Sequence, residues 1–138
     1  MRDRVQAFAD TNVLVYLFSE NEPIKRRYSV QALNDYKCNV STQVLNEFCN
    51  VCTKKWHFSA SAIGRALDKI CAYAVLWPVD LNVVKQAVFL HAKYRYAYYD
   101  CLMISSALIC GCEILLTEDL TDGQTIEERL TVKNIYRP

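Results

Sequence analysis

The sequence predicts an α/β fold: a three-layer α/β/α sandwich with a mostly parallel central sheet of four or five strands. Three observations lead there. Short apolar runs, too brief for helices, recur along the chain, each separated from the next by segments with helical spacing of apolar residues. Strands joined through helices pair parallel with right-handed crossovers, which lays helices on both faces of the sheet. Finally, 138 residues that are 52% apolar are enough to bury one substantial core.

The elements follow in order. In the first strand Val5, Ala7 and Ala9 alternate with Gln6 and Phe8, and Asp10 stands at its carboxyl end. Helical spacing begins with Val13, Leu14 and Leu17 and lasts to about Phe18. Asn21-Glu22-Pro23 starts a second helix, to about Tyr36, with Pro23 in its first turn. Lys37 to Val40 is a brief second strand, after which Ser41 or Thr42 caps a helix with the stripe Val44, Leu45, Phe48, Val51 and Cys52. A helix from Ser59 to Ala72, capped by Ser59 or Ser61, precedes a strand from Ala74 to Pro78. The helices of residues 41–72 exceed the needs of a minimal doubly wound fold and are expected to form an extra pair. Asp80 caps the next helix, to Tyr94, and another runs from Tyr98 to a carboxyl-terminal cap at Gly111. Glu113 to Thr117 and Thr131 to Tyr136 are the last strands.

Residues 1–138 read as a single domain. Three glycines and three prolines, scattered, make no linker, and there is no repeat or low-complexity tract. The longest nearly uncharged stretch, Cys101 to Cys112, contains two serines and falls short of the ~20 residues that span a bilayer. Asp3, Arg4, Gln6 and Asp10 interrupt any signal-like apolar core. A soluble cytoplasmic protein is expected, with no membrane partner. Seven cysteines, an odd number, argue for a reducing compartment over a disulfide framework, and Cys71, Cys101 and Cys110 read as small core residues. Cys49-x-x-Cys52 has zinc-knuckle spacing but lies in a helical pattern without a second pair. The formal net charge of +1 does not announce a nucleic-acid binder, although basic clusters stand at Lys25-Arg26-Arg27, at Lys54-Lys55, and at Lys93 and Arg95 among tyrosines.

Four acidic residues stand out on this scaffold. Asp10 ends the first strand, and the carboxyl edge of an open parallel sheet is where ligands bind. Glu47 borders the stripe of the third helix, next to Val44 and Val51. Asp100 opens a helix that is apolar nearly all round, and Asp119 follows the strand Ile114-Leu115-Leu116 as Asp10 follows the first. Each also has an ordinary reading: Asp10 and Asp100 as acceptors at helix starts, Glu47 as an exposed helix residue, Asp119 and Asp122 as turn formers before Gly123. Jointly, a parallel sheet sends at least three of these carboxylates to one crevice.

Magnitude limits what such a crevice holds. Two carboxylates ~5 Å apart repel by roughly 3 kcal/mol at an effective dielectric near 20, so four take up protons or collect cations. All-oxygen ligands select hard ions, Mg²⁺ or Mn²⁺, over zinc, and neither His57 nor His91 has a histidine partner at ligand spacing. Magnesium favours phosphate oxygens, so the substrate class is a phosphodiester or phosphate ester. No Ser/His/Asp arrangement offers a rival nucleophile, and neither G-x-x-x-x-G-K-[ST] nor G-x-G-x-x-G occurs.

The segments Ala9-Asp10-Thr11-Asn12-Val13-Leu14, Ser41-Thr42-Gln43-Val44-Leu45-Asn46-Glu47-Phe48, Tyr99-Asp100-Cys101-Leu102-Met103-Ile104 and Leu116-Thr117-Glu118-Asp119-Leu120 together resemble the PIN-domain ribonucleases. Among these the chain is most similar to the VapC-type toxins of bacterial toxin–antitoxin pairs. The resemblance spans almost the whole chain and keeps the order and spacing of all four acids. It implies a PIN-like fold and a Mg²⁺- or Mn²⁺-dependent endoribonuclease with Asp10, Glu47, Asp100 and Asp119 as catalytic, metal-binding carboxylates. It further implies that Asn12 and Thr117 orient ligands or water with Asp122 in support, that the protein is a homodimer, and that a small antitoxin holds it inactive.

The carboxyl-terminal strand Leu130 to Tyr136 departs from the family, whose members often carry Asn-Pro-Phe after it. The near-neutral charge means that RNA affinity comes from local patches, with Lys54, Lys55, Lys93 and Arg95 as candidates. Two other readings stay open: a non-catalytic RNA- or protein-interaction module on the same fold, and a phosphatase using Asp10 as nucleophile. The latter lacks a second aspartate two residues on, where Asn12 stands.

Overall fold

Why the chain alternates strands and helices is visible in which faces are covered. The computed structural model describes residues 3–137, so residues 1, 2 and 138 of the expected domain lie outside the described residues. β1 (Gln6–Ala9) is followed by α1 (Thr11–Leu17) and α2 (Pro23–Asp35), β2 (Lys37–Ser41) by α3 (Thr42–Lys54) and α4 (Ala60–Tyr73), and β3 (Ala74–Trp77) by α5 (Leu81–Tyr94) and α6 (Tyr98–Ile109). β4 (Ile114–Leu116), β5 (Thr125–Ile126) and β6 (Leu130–Lys133) come last. Ala7, Phe8 and Ala9 are all buried, as a strand with helices on both faces requires.

The sheet order is β3-β2-β1-β4-β6-β5. All pairings are parallel except β5 with β6. Moving outward from β1 to β3 and then returning to β4 on the other side reverses the direction of winding. Right-handed crossovers therefore put α1 to α4 on one face and α5 with α6 on the other. In keeping with that, α1 packs against α2 and α3, and α5 against α6. The reversal falls between β1 and β4, and the carboxyl edge at such a switch point is the usual ligand site of open α/β sheets. Asp10 N donates to Leu116 O at 3.1 Å and carries the ladder to that edge.

Capping follows the side chains expected to supply it. Ser41 Oγ accepts from Val44 N at 3.3 Å, Ser59 Oγ from Ala62 N at 3.1 Å, and Asp80 Oδ1 from Val83 N at 3.1 Å. α6 is buried from Cys101 to Leu108, as a helix apolar nearly all round requires. α3 and α4 form the expected additional pair and are in contact. Phe48 of α3 is fully buried against Phe18, with ring centroids 5.5 Å apart.

Three expectations need correction. The sheet has six strands, not four or five, because β5 is a two-residue strand returning antiparallel onto β6. The turn that makes this possible is Glu127-Glu128, both left-handed at φ 51° and 57°, and a Glu-Glu pair carries none of the Asn-Gly chemistry that marks such turns. β6 stops at Lys133 rather than Tyr136, since Asn134 N leaves the ladder to donate to Asp122 Oδ1 at 2.9 Å. Cys71 is exposed, not core, because the buried stripe of α4 runs through Ala66 and Ile70 and leaves the next residue outside. All seven cysteines are free thiols. Among the described residues no helix is long and apolar enough to cross a membrane.

Candidate active site

Asp10 occupies the one position where the β1 ladder ends and α1 begins. Its Oδ1 accepts from Thr11 N at 2.6 Å, so it is the N-cap of α1 as well as a residue of the crevice. Its Oδ2 accepts from Thr117 Oγ1 at 2.7 Å across the β1–β4 pair. Only 8% of the residue is exposed. Burial pushes its carboxyl up to about 6, against the pull of the Thr117 and Thr11 hydrogen bonds, with Asp119 and Glu47 adding like-charge repulsion.

Thr117, which follows β4, also takes Asp119 N on Oγ1 at 3.2 Å. One hydroxyl thereby couples the two strand ends that carry acids. Glu47 lies in the second turn of α3, which starts at the same sheet edge. Both its oxygens are held: Oε2 accepts from Thr11 Oγ1 at 2.7 Å and Oε1 from Gln43 Nε2 at 2.9 Å. Asp100 sits in the first turn of α6, which runs antiparallel to the strands and so begins at this edge too. Burial raises its carboxyl above the ordinary range, and Asp119 and Glu47 raise it further.

The four acids therefore meet electrostatically: Asp119 and Glu47 each act on both Asp10 and Asp100. Among the described residues, no three His, Cys, Asp or Glu side chains close on a single point that could hold a metal ion. Asp10 is buried and Glu47 exposed, but both are held at both oxygens, whereas Asp119 is exposed and its carboxylate makes no hydrogen bond among the described residues. The donor chemistry, four carboxylates without a soft ligand, suits a hard divalent cation.

Asp100 and Asp119 line a cleft of about 970 Å³ together with Tyr96, Glu118, Asp122 and Arg137. Asp122 shapes it by accepting Asn134 N, and Asn134 Oδ1 in turn accepts Tyr136 N at 2.9 Å. Asn12 Nδ2 donates to Glu118 Oε1 at 3.4 Å, a long bond to the residue between Thr117 and Asp119. Glu118 is also held by Tyr16 and by Lys25, whose Nζ reaches Oε2 at 3.1 Å.

The basic candidates lie farther out. Lys54 ends α3 and Lys55 caps it, roughly 10 Å along the axis beyond Glu47. Lys93 is paired with Glu127 at 2.6 Å. Arg95 caps α5 in the left-handed conformation, φ 64°, one residue before Tyr96 of the cleft. Sequence reasoning missed Thr11, Gln43 and Glu118 as holders of the site. Gln43 alone carried a signal, standing four residues before Glu47 on a helix, where an amide and a carboxylate meet.

The family model described as PIN domain matches residues 7–121. No curated protein matches the sequence. Among solved structures, a toxin-antitoxin complex from Klebsiella pneumoniae is similar, with a TM-score of 0.71 and 23% identity over 94% of this chain and 98% of that one. VapBC2 from Rickettsia felis, bound to a DNA fragment from its promoter, gives 0.67 and 15% over 94% of this chain and 100% of that one. The sarcin-ricin loop cleaving toxin VapC20 of Mycobacterium tuberculosis gives 0.60 and 15% over 82% of this chain and 91% of that one.

Proposed function

The chain belongs to the PIN-domain family, and from that premise we propose that it is a divalent-metal-dependent endoribonuclease, the toxin of a toxin–antitoxin pair. On this reading it is one nuclease domain, cytoplasmic and homodimeric, that hydrolyses RNA phosphodiester bonds and is held inactive by a small antitoxin. The observation that carries the reading is geometric: at the β1/β4 edge Asp10 and Glu47 are bridged through Thr11, and Asp119 is tied to Asp10 through the Thr117 hydroxyl. The solved structures it resembles include two toxin–antitoxin complexes and one RNA-cleaving toxin, which supports the partner and the substrate class.

Asp10, Glu47, Asp100 and Asp119 are the residues that would hold Mg²⁺ or Mn²⁺. A bound cation of this kind supplies charge neutralisation for the acids and for the phosphodiester oxygens. The chain's own part is positioning. Thr117 and Thr11 hold both oxygens of Asp10, and Thr11 and Gln43 hold both oxygens of Glu47, so these two carboxylates keep their directions while substrate enters. Buried walls around Asp10 exclude water from one side of the site and strengthen every charge interaction there.

The deciding experiment is calorimetric titration with Mn²⁺ alongside an RNA cleavage assay with and without EDTA. Binding in the parent, loss of binding in Asp10→Asn and in Asp100→Asn, and cleavage stopped by EDTA are expected. A parent that binds no Mn²⁺ points instead to a non-catalytic interaction module on the same fold.

A further inference from the structure

Beside Glu47, away from the main cleft, lies a groove of about 430 Å³ with two unlike walls. Gln43, Asn46 and Glu47, at positions i, i+3 and i+4 of α3, form a polar wall, and Tyr99 and Leu102, at i and i+3 of α6, form an apolar one. Tyr99 is 67% exposed, and its hydroxyl makes no hydrogen bond among the described residues. Its aromatic neighbour Tyr98 meets it edge-on at 75°, with centroids 5.6 Å apart. Tyr96, also near the acids, differs: its ring lies flat on Tyr94 at 10° and its hydroxyl is engaged by Gln124.

The backbone under the exposed ring is fixed to the acid site. Gln43 Nε2 donates both to Tyr99 O at 3.1 Å and to Glu47 Oε1 at 2.9 Å, so one amide sets the ring's anchor relative to a carboxylate. Gln43 Oε1 is buried without a donor. With Gln43 spent on Tyr99 O and Glu47, the groove offers an exposed aromatic ring on one side and the Asn46 amide on the other, which matches a nucleobase with its stacking face and hydrogen-bonding edge.

Resting on the nuclease reading above, we propose that this groove is a subsite for one unpaired RNA base next to the cleaved phosphodiester, stacked on Tyr99 with its edge toward Asn46. A base inside a duplex has both faces covered, so the subsite selects single-stranded or looped RNA.

A short single-stranded RNA carrying 2-aminopurine reports the stack by fluorescence quenching, with Ca²⁺ present to neutralise the acids. The parent should quench it, Tyr99→Phe should bind within about twofold of the parent, and Tyr99→Ala should bind about tenfold more weakly. The same sequence as a duplex should fail to compete. Binding by Tyr99→Ala equal to the parent, equal competition by duplex, or no quenching by the parent each overturns the subsite. A Tyr99→Ala effect confined to capture of a protein partner overturns it as well. Cleavage in Mg²⁺ is measured separately. Quenching that depends on Tyr99 without cleavage ends the nuclease reading alone, and cleavage whose KM ignores Tyr99→Ala ends the subsite alone.

Discussion

Thr117 and Asp10, 107 positions apart in sequence, share a 2.7 Å hydrogen bond from Oγ1 to Oδ2 at the point where β1 and β4 part. The same hydroxyl oxygen receives Asp119 N, so a single side chain sets the spacing of two acids. Thr117→Val keeps the shape and removes the donor. A hydrogen bond to a charged group is worth about 1.5–3 kcal/mol, which predicts cleavage slower by roughly 10- to 100-fold. Without that donor the Asp10 carboxyl of the metal-free protein rises further, so Mn²⁺ affinity should also fall at pH 7 and recover in part at pH 8.5. Thr117→Ser should stay near the parent, and a flat pH profile in Thr117→Val would exclude this role.

Asp10 also makes a stability prediction. Its folded value, about 6, lies above its ordinary 3.8, so the folded state binds more protons than the unfolded one between these limits. In metal-free protein, stability from this group is therefore greatest below about 3.8 and declines as pH rises toward 6, by about 3 kcal/mol in all. Asp10→Asn should be more stable than the parent at pH 7.5 in EDTA, with the two converging near pH 4. Urea melts at both pH values measure it, and a variant less stable at pH 7.5 would contradict the assignment of the shift to burial.

What could be read without coordinates was whatever rests on periodicity and on strand ends. Asp10, Asp100 and Asp119 were visible because each adjoins the end of an element whose direction the alternation of strands and helices dictates. The holders of those acids were less visible: Thr117 entered only through the family resemblance, and Thr11 not at all. Both act through bonds between segments up to 107 residues apart, and nothing local marks a threonine as a bridge rather than a strand residue. β5 escaped for the opposite reason, being local but spelled with the wrong residues. Arg95 was flagged for its charge alone, and its left-handed backbone beside Tyr96 could not be anticipated from a stretch rich in tyrosine.

The Glu127-Glu128 turn stores strain that can be released. A non-glycine residue at φ near 57° gives up about 1 kcal/mol relative to glycine, and Glu128 is exposed and makes no side-chain hydrogen bond among the described residues. Glu128→Gly should therefore raise the melting temperature by about 4 °C. Glu127→Gly should not, because Glu127 accepts from Lys93 at 2.6 Å and from Tyr94 at 2.9 Å. Differential scanning calorimetry of the two variants decides the matter, and equal gains in both would mean that the Lys93 and Tyr94 contacts hold nothing.

RNA affinity should depend on a few cations near the cleft rather than on overall charge. Each phosphate neutralised by Lys or Arg steepens the dependence of log affinity on log salt by about one for duplexes and somewhat less for single strands. Arg95, exposed and one residue from Tyr96 in the cleft wall, is the candidate placed to meet the backbone there, and Arg137 lines the same cleft. Lys93 is engaged by Glu127, and Lys54 and Lys55 stand at the far end of α3. Arg95→Gln should weaken binding of single-stranded RNA and lower the salt slope by roughly 0.7, whereas Lys54→Gln and Lys55→Gln should change it less. Filter binding between 50 and 200 mM salt measures all four proteins. An affinity of the parent indifferent to salt would remove phosphate contacts from the account, and an effect of Lys54→Gln equal to that of Arg95→Gln would move the RNA path along α3 instead.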